Sequence, residues 1–362
     1  MSEHGGNIIG IAQQYGLSAD ALIDFSANIN PLGAPERVKT LIKNSLTDIE
    51  KYPDMEYRYL HQAIAEAHKC DEAKVIAGNG ATELIYAIVR YLNPRLALLL
   101  TPGFAEYRRA LQQIGTKIID YPLTEETGFQ PDLRLLDMLA AIKPDCLFIA
   151  TPNNPTGLMP DNQVTQALVE YCEKNGISLI VDESFIDFLP DNRGLIPQIS
   201  TTKHLYILRS MTKFFAIPGL RLGYLISGNT TVIAGMKNRR EPWSINAFAA
   251  KIGEILFDEH DYIAATHQWL KSQQYYLWNQ LSAFSELTVW PPSANFLFFR
   301  CERPEIDLWH ALLKHQLLIR HCKNYAGLDN RYYRIAVRSE WENQRLITAM
   351  HQVFSSRNAS IR

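Results

Sequence analysis

The chain has 362 residues, 47% of them hydrophobic and 20% charged, with a formal net charge of −2. That length has room for two domains around substantial cores, and the balance is that of an ordinary globular protein in water. So small a net charge gives no electrostatic reason to expect nucleic acid or an anionic membrane as partner, and no uncharged apolar run is long enough to span a bilayer.

The N-terminal Met-Ser-Glu-His-Gly-Gly lacks a basic region followed by an apolar run, so it does not read as a signal peptide. The first candidate element is a short amphipathic helix ending near Gly16, preceded by His4-Gly5-Gly6-Asn7. On chemistry alone those residues read as a floppy terminus, although a histidine beside two glycines could close over an anion. Asp24-Phe-Ser-Ala-Asn28-Ile-Asn30-Pro31-Leu-Gly33 follows as a short strand running into a turn, then a helix from about Pro35 to Leu46. Tyr52, in the turn Lys51-Tyr-Pro-Asp54, is either packed or offers its hydroxyl to a neighbour.

From Tyr57 onward, helical periodicity alternates with short apolar strands. A helix over 57–68 leads to Val75–Gly78, and Gly80-Ala81-Thr82 opens the next helix, whose free N–H groups and dipole suit a phosphate. Strand 97–101 ends in Pro102-Gly103-Phe104; Phe104 is core by default but is placed to stack on a planar ring. Further helix–strand alternation is expected over 105–121 and 132–150, and the strand 145–150 ends in the polar loop Thr151-Pro-Asn-Asn154-Pro-Thr-Gly157. After a helix over 162–174, the apolar strand Ser178–Val181 closes in Asp182. A carboxylate at the carboxyl end of a buried strand is costly unless paired, and that end is where α/β sheets bind ligands.

A strand over 204–209 delivers Ser210-Met-Thr212-Lys213, followed by Phe-Phe-Ala-Ile-Pro-Gly and then Arg221. Most lysines are surface charges. Here the apolar neighbours Met211, Phe214, Phe215 and Ile217 would desolvate the ammonium and lower its pKa toward a usable amine nucleophile. Ser210 and Thr212 offer hydroxyls and Arg221 a forked guanidinium to phosphate oxygens. An amine nucleophile beside a phosphate cradle is what a Schiff base to pyridoxal phosphate needs. Strand 222–226 and a helix over 229–240 come next, then a long helical region from Glu241 to about Phe284. Beyond it, strand 294–300, helix 305–316, strands 317–322 and 332–338 and helix 341–355 predict a small α+β unit. Arg320 and Arg334 lie on its strands, where surface ion pairing is the commoner fate.

The five cysteines, at 70, 146, 172, 301 and 322, are dispersed and never form Cys-x-x-Cys, which predicts reduced thiols in a cytoplasmic protein. The ten histidines show no metal-ligand spacing, so no metal site is expected.

Asn-Pro-Thr-Gly at 154–157, Asp182, Ser-x-x-Lys at 210–213 and Arg221 together resemble the fold-type I pyridoxal-phosphate enzymes of the aspartate aminotransferase superfamily, over nearly the whole chain. The resemblance implies an α/β fold: a large domain with a mostly parallel seven-stranded sheet, plus a smaller α+β domain. The expected division is an arm and part of the small domain over 1–45, the large domain over 46–265 and the rest of the small domain over 266–362. It implies Lys213 as the Schiff-base lysine, Asp182 as partner of the pyridine nitrogen, Asn154 on the ring O3′ and Phe104 on the ring face. Gly80, Ala81, Ser210 and Arg221 would hold the phosphate, with Tyr52 arriving from a second subunit of a homodimer.

The Tyr-Pro-Asp turn and the Arg-Ile-x-Val strand look like histidinol-phosphate aminotransferase. Closer still is the L-threonine-O-3-phosphate decarboxylase family of cobalamin biosynthesis. Its motifs are present as His-Gly-Gly-Asn at 4–7, Thr-Pro-Gly-Phe-Ala-Glu-Tyr at 101–107, Asp-Glu-x-Phe-Ile-Asp-Phe at 182–188 and Tyr-Tyr-Arg-x-Ala-x-Arg-Ser at 332–339. Phe185 stands where aminotransferases of this type place a tyrosine that touches O3′, which supports the lyase. The resemblance implies decarboxylation of a small phosphorylated amino acid, with His4, Gly5, Asn28 and Arg320 on its phosphate and Arg334 and Asn154 on its carboxylate. Arg338, on the same strand face as Arg334 under period-two alternation, is expected only as a supporting charge.

Overall fold

A computed structural model describes residues 4–191 and 194–355. The first strand, β1 (Ile23–Asp24), pairs in parallel with β11 (Leu317–Leu318), far along the chain. Between them lies a seven-stranded sheet of β2 (Val75–Gly78), β3 (Leu96–Thr101), β4 (Lys117–Pro122), β5 (Cys146–Ala150), β6 (Ser178–Asp182), β7 (Leu205–Ser210) and β8 (Gly223–Ser227). Its order is β2-β8-β7-β6-β5-β3-β4. Only β8 runs antiparallel to its neighbours β2 and β7, so the sheet is mostly parallel. The central strands read Cys-Leu-Phe-Ile-Ala and Ser-Leu-Ile-Val-Asp because helices cover both faces of such a sheet and bury nearly every position. Two apolar clusters accordingly flank it, one on each face.

The chain leaves β3 for β4 on one side and returns as β5 on the other, so the direction of winding reverses between β3 and β5. Ligands of doubly wound sheets bind outside the carboxyl ends of strands at such a reversal. The loops after β3, β5, β6 and β7 all open there.

A second, antiparallel sheet has the order β12-β13-β10-β9, from β9 (Leu287–Val289), β10 (Phe296–Cys301), β12 (Arg320–His321) and β13 (Tyr332–Ala336). Strand β9 was not foreseen. The expected single strand over 317–322 is two pieces, because its first half pairs with β1 and its second with β13. The long helix expected from Glu241 to Phe284 is also broken. The Asn246 side chain caps a short helix over Ala247–Gly253, a 3₁₀ turn covers Leu256–Asp258, and the long helix is His260–Ser282. At Gly253 a side chain would meet Leu60 Cδ1 at 2.4 Å, so the break sits where the helix is pressed against the large sheet's helical layer. Among the described residues no helix is long and apolar enough to cross a membrane.

A buried histidine, His61, and a half-buried one, His68, make the packing acid-sensitive. His61 Nε2 accepts from the Ala77 N–H at 3.0 Å, tying the helix Arg58–Ala67 to β2, and His68 shares a 2.7 Å hydrogen bond with the Tyr224 hydroxyl. Burial holds both imidazoles down to about 3, from an ordinary value of 6.5. In the unfolded chain both take up protons near that ordinary value. The stability of the neutral pair is therefore complete above it and is lost as the pH falls toward 3. Each group costs about 1.4 kcal/mol per pH unit in that window. Melting curves stepped from neutral to mildly acidic pH are expected to show a falling Tm, and His68→Gln flattens that slope. An unchanged slope in the variant would remove His68 from the account.

Candidate active site

Strand β7 ends at Ser210, and the tight turn that follows sets Lys213, half-buried, beside the buried Phe214, Phe215 and Met211. Its Nζ donates to Ser210 Oγ at 2.9 Å and lies 5.5 Å from the Phe185 ring centre. Burial, aided by the Arg221 charge and opposed by Asp182, pulls the amine down to about 8 from 10.5. Its backbone is pinned too: the Asn30 N–H donates to Lys213 O at 3.1 Å, and Asn30 Nδ2 reaches Phe214 O and Thr266 Oγ1 at 2.9 and 2.8 Å. Asn30 and Thr266 were not anticipated.

Across one cavity from the lysine stand Asp182, at the carboxyl end of β6, Phe104, Asn154 and Ala81. Asp182 is buried and accepts from the Tyr107 hydroxyl at 2.7 Å and from the Ser184 N–H at 2.9 Å. Tyr107 stacks on Phe148, and burial beside this carboxylate raises its phenol well above the ordinary value, so it stays a donor. Sequence reading missed Tyr107. The signal available was its place three residues beyond Phe104, one helical turn into the element that faces the site.

Gly80 caps the helix Ala81–Leu92 with φ of 86°, a conformation that excludes ordinary side chains, and a Cβ there would lie 2.6 Å from Arg221 Nη2. The guanidinium of Arg221 therefore lies over the helix N-terminus, adding its charge to the free N–H groups. Ser210 Oγ, 2.8 Å from Thr212 Oγ1, completes the hydroxyl side.

The Thr151–Gly157 loop is braced by Asn153 Nδ2, which donates to Pro102 O at 3.1 Å and ties the Phe104 and Asn154 loops together. Asn154 Oδ1 accepts from both Arg334 Nη1 and the Tyr325 hydroxyl. Arg334, on β13, also donates through Nη2 to Ser26 O at 2.8 Å and is buried against Phe296. Arg320, on β12, is its direct cross-strand partner. Its guanidinium donates to His321 O and Asn324 Oδ1 at 2.8 and 2.7 Å. Like charges facing each other across a ladder repel, and both arginines are buried. The pair is therefore built to receive anionic groups. Arg334 Nε, a donor, and Asn28 Oδ1, an acceptor, are both buried with no hydrogen-bond partner, and only the first suits an anionic oxygen.

The N-terminal arm is anchored rather than floppy. Gly6 N–H donates to Ser26 Oγ at 2.9 Å, and His4 Nε2 lies 2.8 Å from the buried Glu106 carboxylate, which also accepts from the Tyr86 hydroxyl and Arg109. His4 thus sits beside Phe104, with ring centres 5.8 Å apart, and Gly5 lies against Ser26. Tyr52 is not in this cavity: it is 79% exposed and stacks on Trp243 with ring centres 4.3 Å apart. Arg338 lies beyond the end of β13 and is taken up by Glu342, at 2.9 and 2.6 Å, and by Asp24 O, so its charge is spent in the scaffold.

A nucleophilic amine, a carboxylate facing it, an aromatic lid and a phosphate-sized cradle at a helix N-terminus fit pyridoxal phosphate group by group. Comparison with known proteins gives the same picture. Residues 20–350 match the family model "Aminotransferase class I and II". The chain is 47% identical to the threonine-phosphate decarboxylase of Salmonella typhimurium, over 98% of this chain and 97% of that protein. It is 32% identical to an adenosylcobalamin biosynthesis bifunctional protein of Leptospira interrogans, over 98% of this chain and 41% of that one. Among solved structures, the histidinol-phosphate aminotransferase of Clostridium acetobutylicum superposes with a TM-score of 0.86 at 31% identity, over 92% of this chain and 100% of that one.

Proposed function

The chain belongs to the aminotransferase class I and II family, and we propose that within it the protein is a pyridoxal-phosphate-dependent carboxy-lyase. Its substrate is L-threonine O-3-phosphate, and its products are (R)-1-amino-2-propanol O-2-phosphate and carbon dioxide, a step of cobalamin biosynthesis. The observation that carries the substrate is the buried cross-strand pair Arg320 and Arg334, which calls for two anionic groups on one small molecule. Phe185 favours the lyase over amino transfer, since its ring, packed on Phe296, brings no hydroxyl to the lysine side of the cavity.

In this reading Lys213 holds the aldehyde of pyridoxal phosphate, Asp182 its ring nitrogen, Asn154 its O3′ and Phe104 its ring face. Gly80, Ala81, Ser210 and Arg221 hold its phosphate, and Tyr52 approaches from a partner subunit. When bound, the group supplies an electron sink for the carbanion left as carbon dioxide departs. Arg334 and Asn154 orient the substrate carboxylate, and Arg320, Asn28, His4 and the Gly5 backbone take its phosphate. These anchors at both ends would fix the orientation of the substrate's Cα, and small errors of such orientation change the outcome. Lys213 Nζ, an amine near 8, can then return a proton to Cα.

We propose a homodimer on the exposed apolar surface around Leu46, Ile49, Tyr52 and Tyr59. A cytoplasmic location accords with five free cysteines. The division into 1–45, 46–265 and 266–362 is supported by the pairing of β1 with β11, which ties the first segment to the last. Residues 1–3, 192–193 and 356–362 of that division lie outside the described residues.

The test is to incubate the protein loaded with pyridoxal phosphate with L-threonine phosphate and no keto acid. Carbon dioxide and aminopropanol phosphate in equal amounts are expected. Glutamate from histidinol phosphate plus 2-oxoglutarate, without carbon dioxide release, would reassign the protein to amino transfer, an activity whose enzymes share this fold.

A further inference from the structure

Tyr325 belongs to none of the motifs above, yet it touches both Asn154 and Arg320. It lies in the loop after β12, buried, with its N–H donating to Cys322 O at 3.0 Å. Its hydroxyl lies 3.2 Å from Asn154 Oδ1. Its ring lies under the Arg320 guanidinium, 5.4 Å from the ring centre. It also lines a cleft of about 580 Å³ that runs past His4 and Phe104, whereas Asn154 lines the cavity of Lys213.

The hydrogen-bond inventory fixes which way Asn154 points. An arginine only donates, so the atom facing Arg334 must be the amide oxygen. The Tyr325 hydroxyl shares that oxygen and is therefore a donor too. With Oδ1 held from two sides, the Nδ2 group is turned away from both donors and left for another acceptor, and Asn154 lines the lysine cavity. Phe185 brings no hydroxyl there, so the donor on that edge is the asparagine amide, and its orientation carries correspondingly more weight.

We propose that Tyr325 is a positioning residue: it locks the Asn154 amide and seats Arg320, coupling the carboxylate and phosphate subsites to the cofactor edge. This rests on the decarboxylase reading for its substrate arm and on the cavity geometry alone for its cofactor arm. Tyr325→Phe keeps the ring beneath Arg320 and removes only the hydroxyl.

Titrating the apoprotein with pyridoxal phosphate, followed by visible absorbance, is expected to give a dissociation constant about fivefold weaker in Tyr325→Phe, the effect of one neutral hydrogen bond. In the loaded enzyme kcat for carbon dioxide release falls about tenfold, with a smaller change in KM, because the carboxylate clamp loosens rather than disappears. The apoprotein Tm stays within about 2 °C of the parent. If Tyr325 acts through Asn154, the fivefold effect disappears when Tyr325→Phe is made in an Asn154→Ala background. A full effect in that background overturns the proposal, and so does a dissociation constant and kcat within about twofold of the parent. A parent enzyme that releases no carbon dioxide would sink the decarboxylase reading instead. The cofactor titration needs no substrate and would still judge Tyr325.

Discussion

Replacing Lys213 with alanine lowers carbon dioxide release by about 10⁴-fold or more, because one amine serves both as covalent anchor and as proton donor. The structure argues that nothing nearby substitutes for it. The Ser210 and Thr212 hydroxyls bond each other, and the Asp182 carboxylate is engaged by Tyr107 and the Ser184 N–H. The same substitution does not weaken the apoprotein near neutral pH. The folded chain holds this amine at about 8 against 10.5, so below about pH 8 the parent bears the cost of a buried ammonium that alanine removes. The measurement pairs product release with a visible absorbance titration of pyridoxal phosphate and a melting curve. Loss of activity together with collapse of the fold would mean that Lys213 is structural, and retained turnover would remove it from the chemistry.

The second large effect is on stability. Arg209, at the end of β7, is 2% exposed, and its Nε donates to Glu183 Oε2 at 2.7 Å while Nη1 donates to Asp187 at 2.7 Å. Glu183 is wholly buried and also accepts from the Leu195 N–H. Arg209→Met leaves that carboxylate in the interior without its cation and is expected to cost about 3–5 kcal/mol in urea unfolding. Arg209→Met with Glu183→Leu restores much of the loss, since the second change removes the stranded charge. Glu183 follows Asp182, and Arg209 precedes Ser210, so the ion pair bolts together the two strand ends that present the carboxylate and the lysine. Cofactor affinity should fall along with stability. Unfolding within about 1 kcal/mol of the parent in the single variant would show that the buried pair is dispensable.

The residues that chemistry demands at strand ends were readable in the chain. Asp182 closes an apolar run and Lys213 follows one, and a charged group in either place needs a reason. The phosphate cradle was readable for a similar reason, because glycine before a helix has a specific backbone consequence. What could not be read were side chains whose meaning lies in a distant partner. Tyr107 meets Asp182 across 75 positions and Tyr325 meets Asn154 across 171. Tyr107 closes the motif at 101–107, which does not show its partner, and Tyr325 sits in no motif at all. The apolar content of 241–284 is continuous enough to pass for one helix, whereas the structure divides it by the Asn246 cap and the 3₁₀ turn over Leu256–Asp258. The run 317–322 reads as one strand because sequence shows β character but not a change of partner. Arg338 alternates with Arg334 on paper, but the strand ends between them.

Pairing of β1 with β11 has a consequence for how the protein is made. Ile23 emerges from the ribosome early and its partner Leu317 only after most of the chain has followed. Until then the Asp24–Asn30 segment, which braces Lys213 and faces Arg334 through Ser26, keeps the strand edge of β1 open, although Lys213 and Thr266 are already made. At about 10 residues per second that wait lasts roughly half a minute. The large sheet can form within it, but the substrate side closes only when the last part of the chain arrives to clasp the first. Activity thus appears in a nascent chain as a terminal event rather than by degrees.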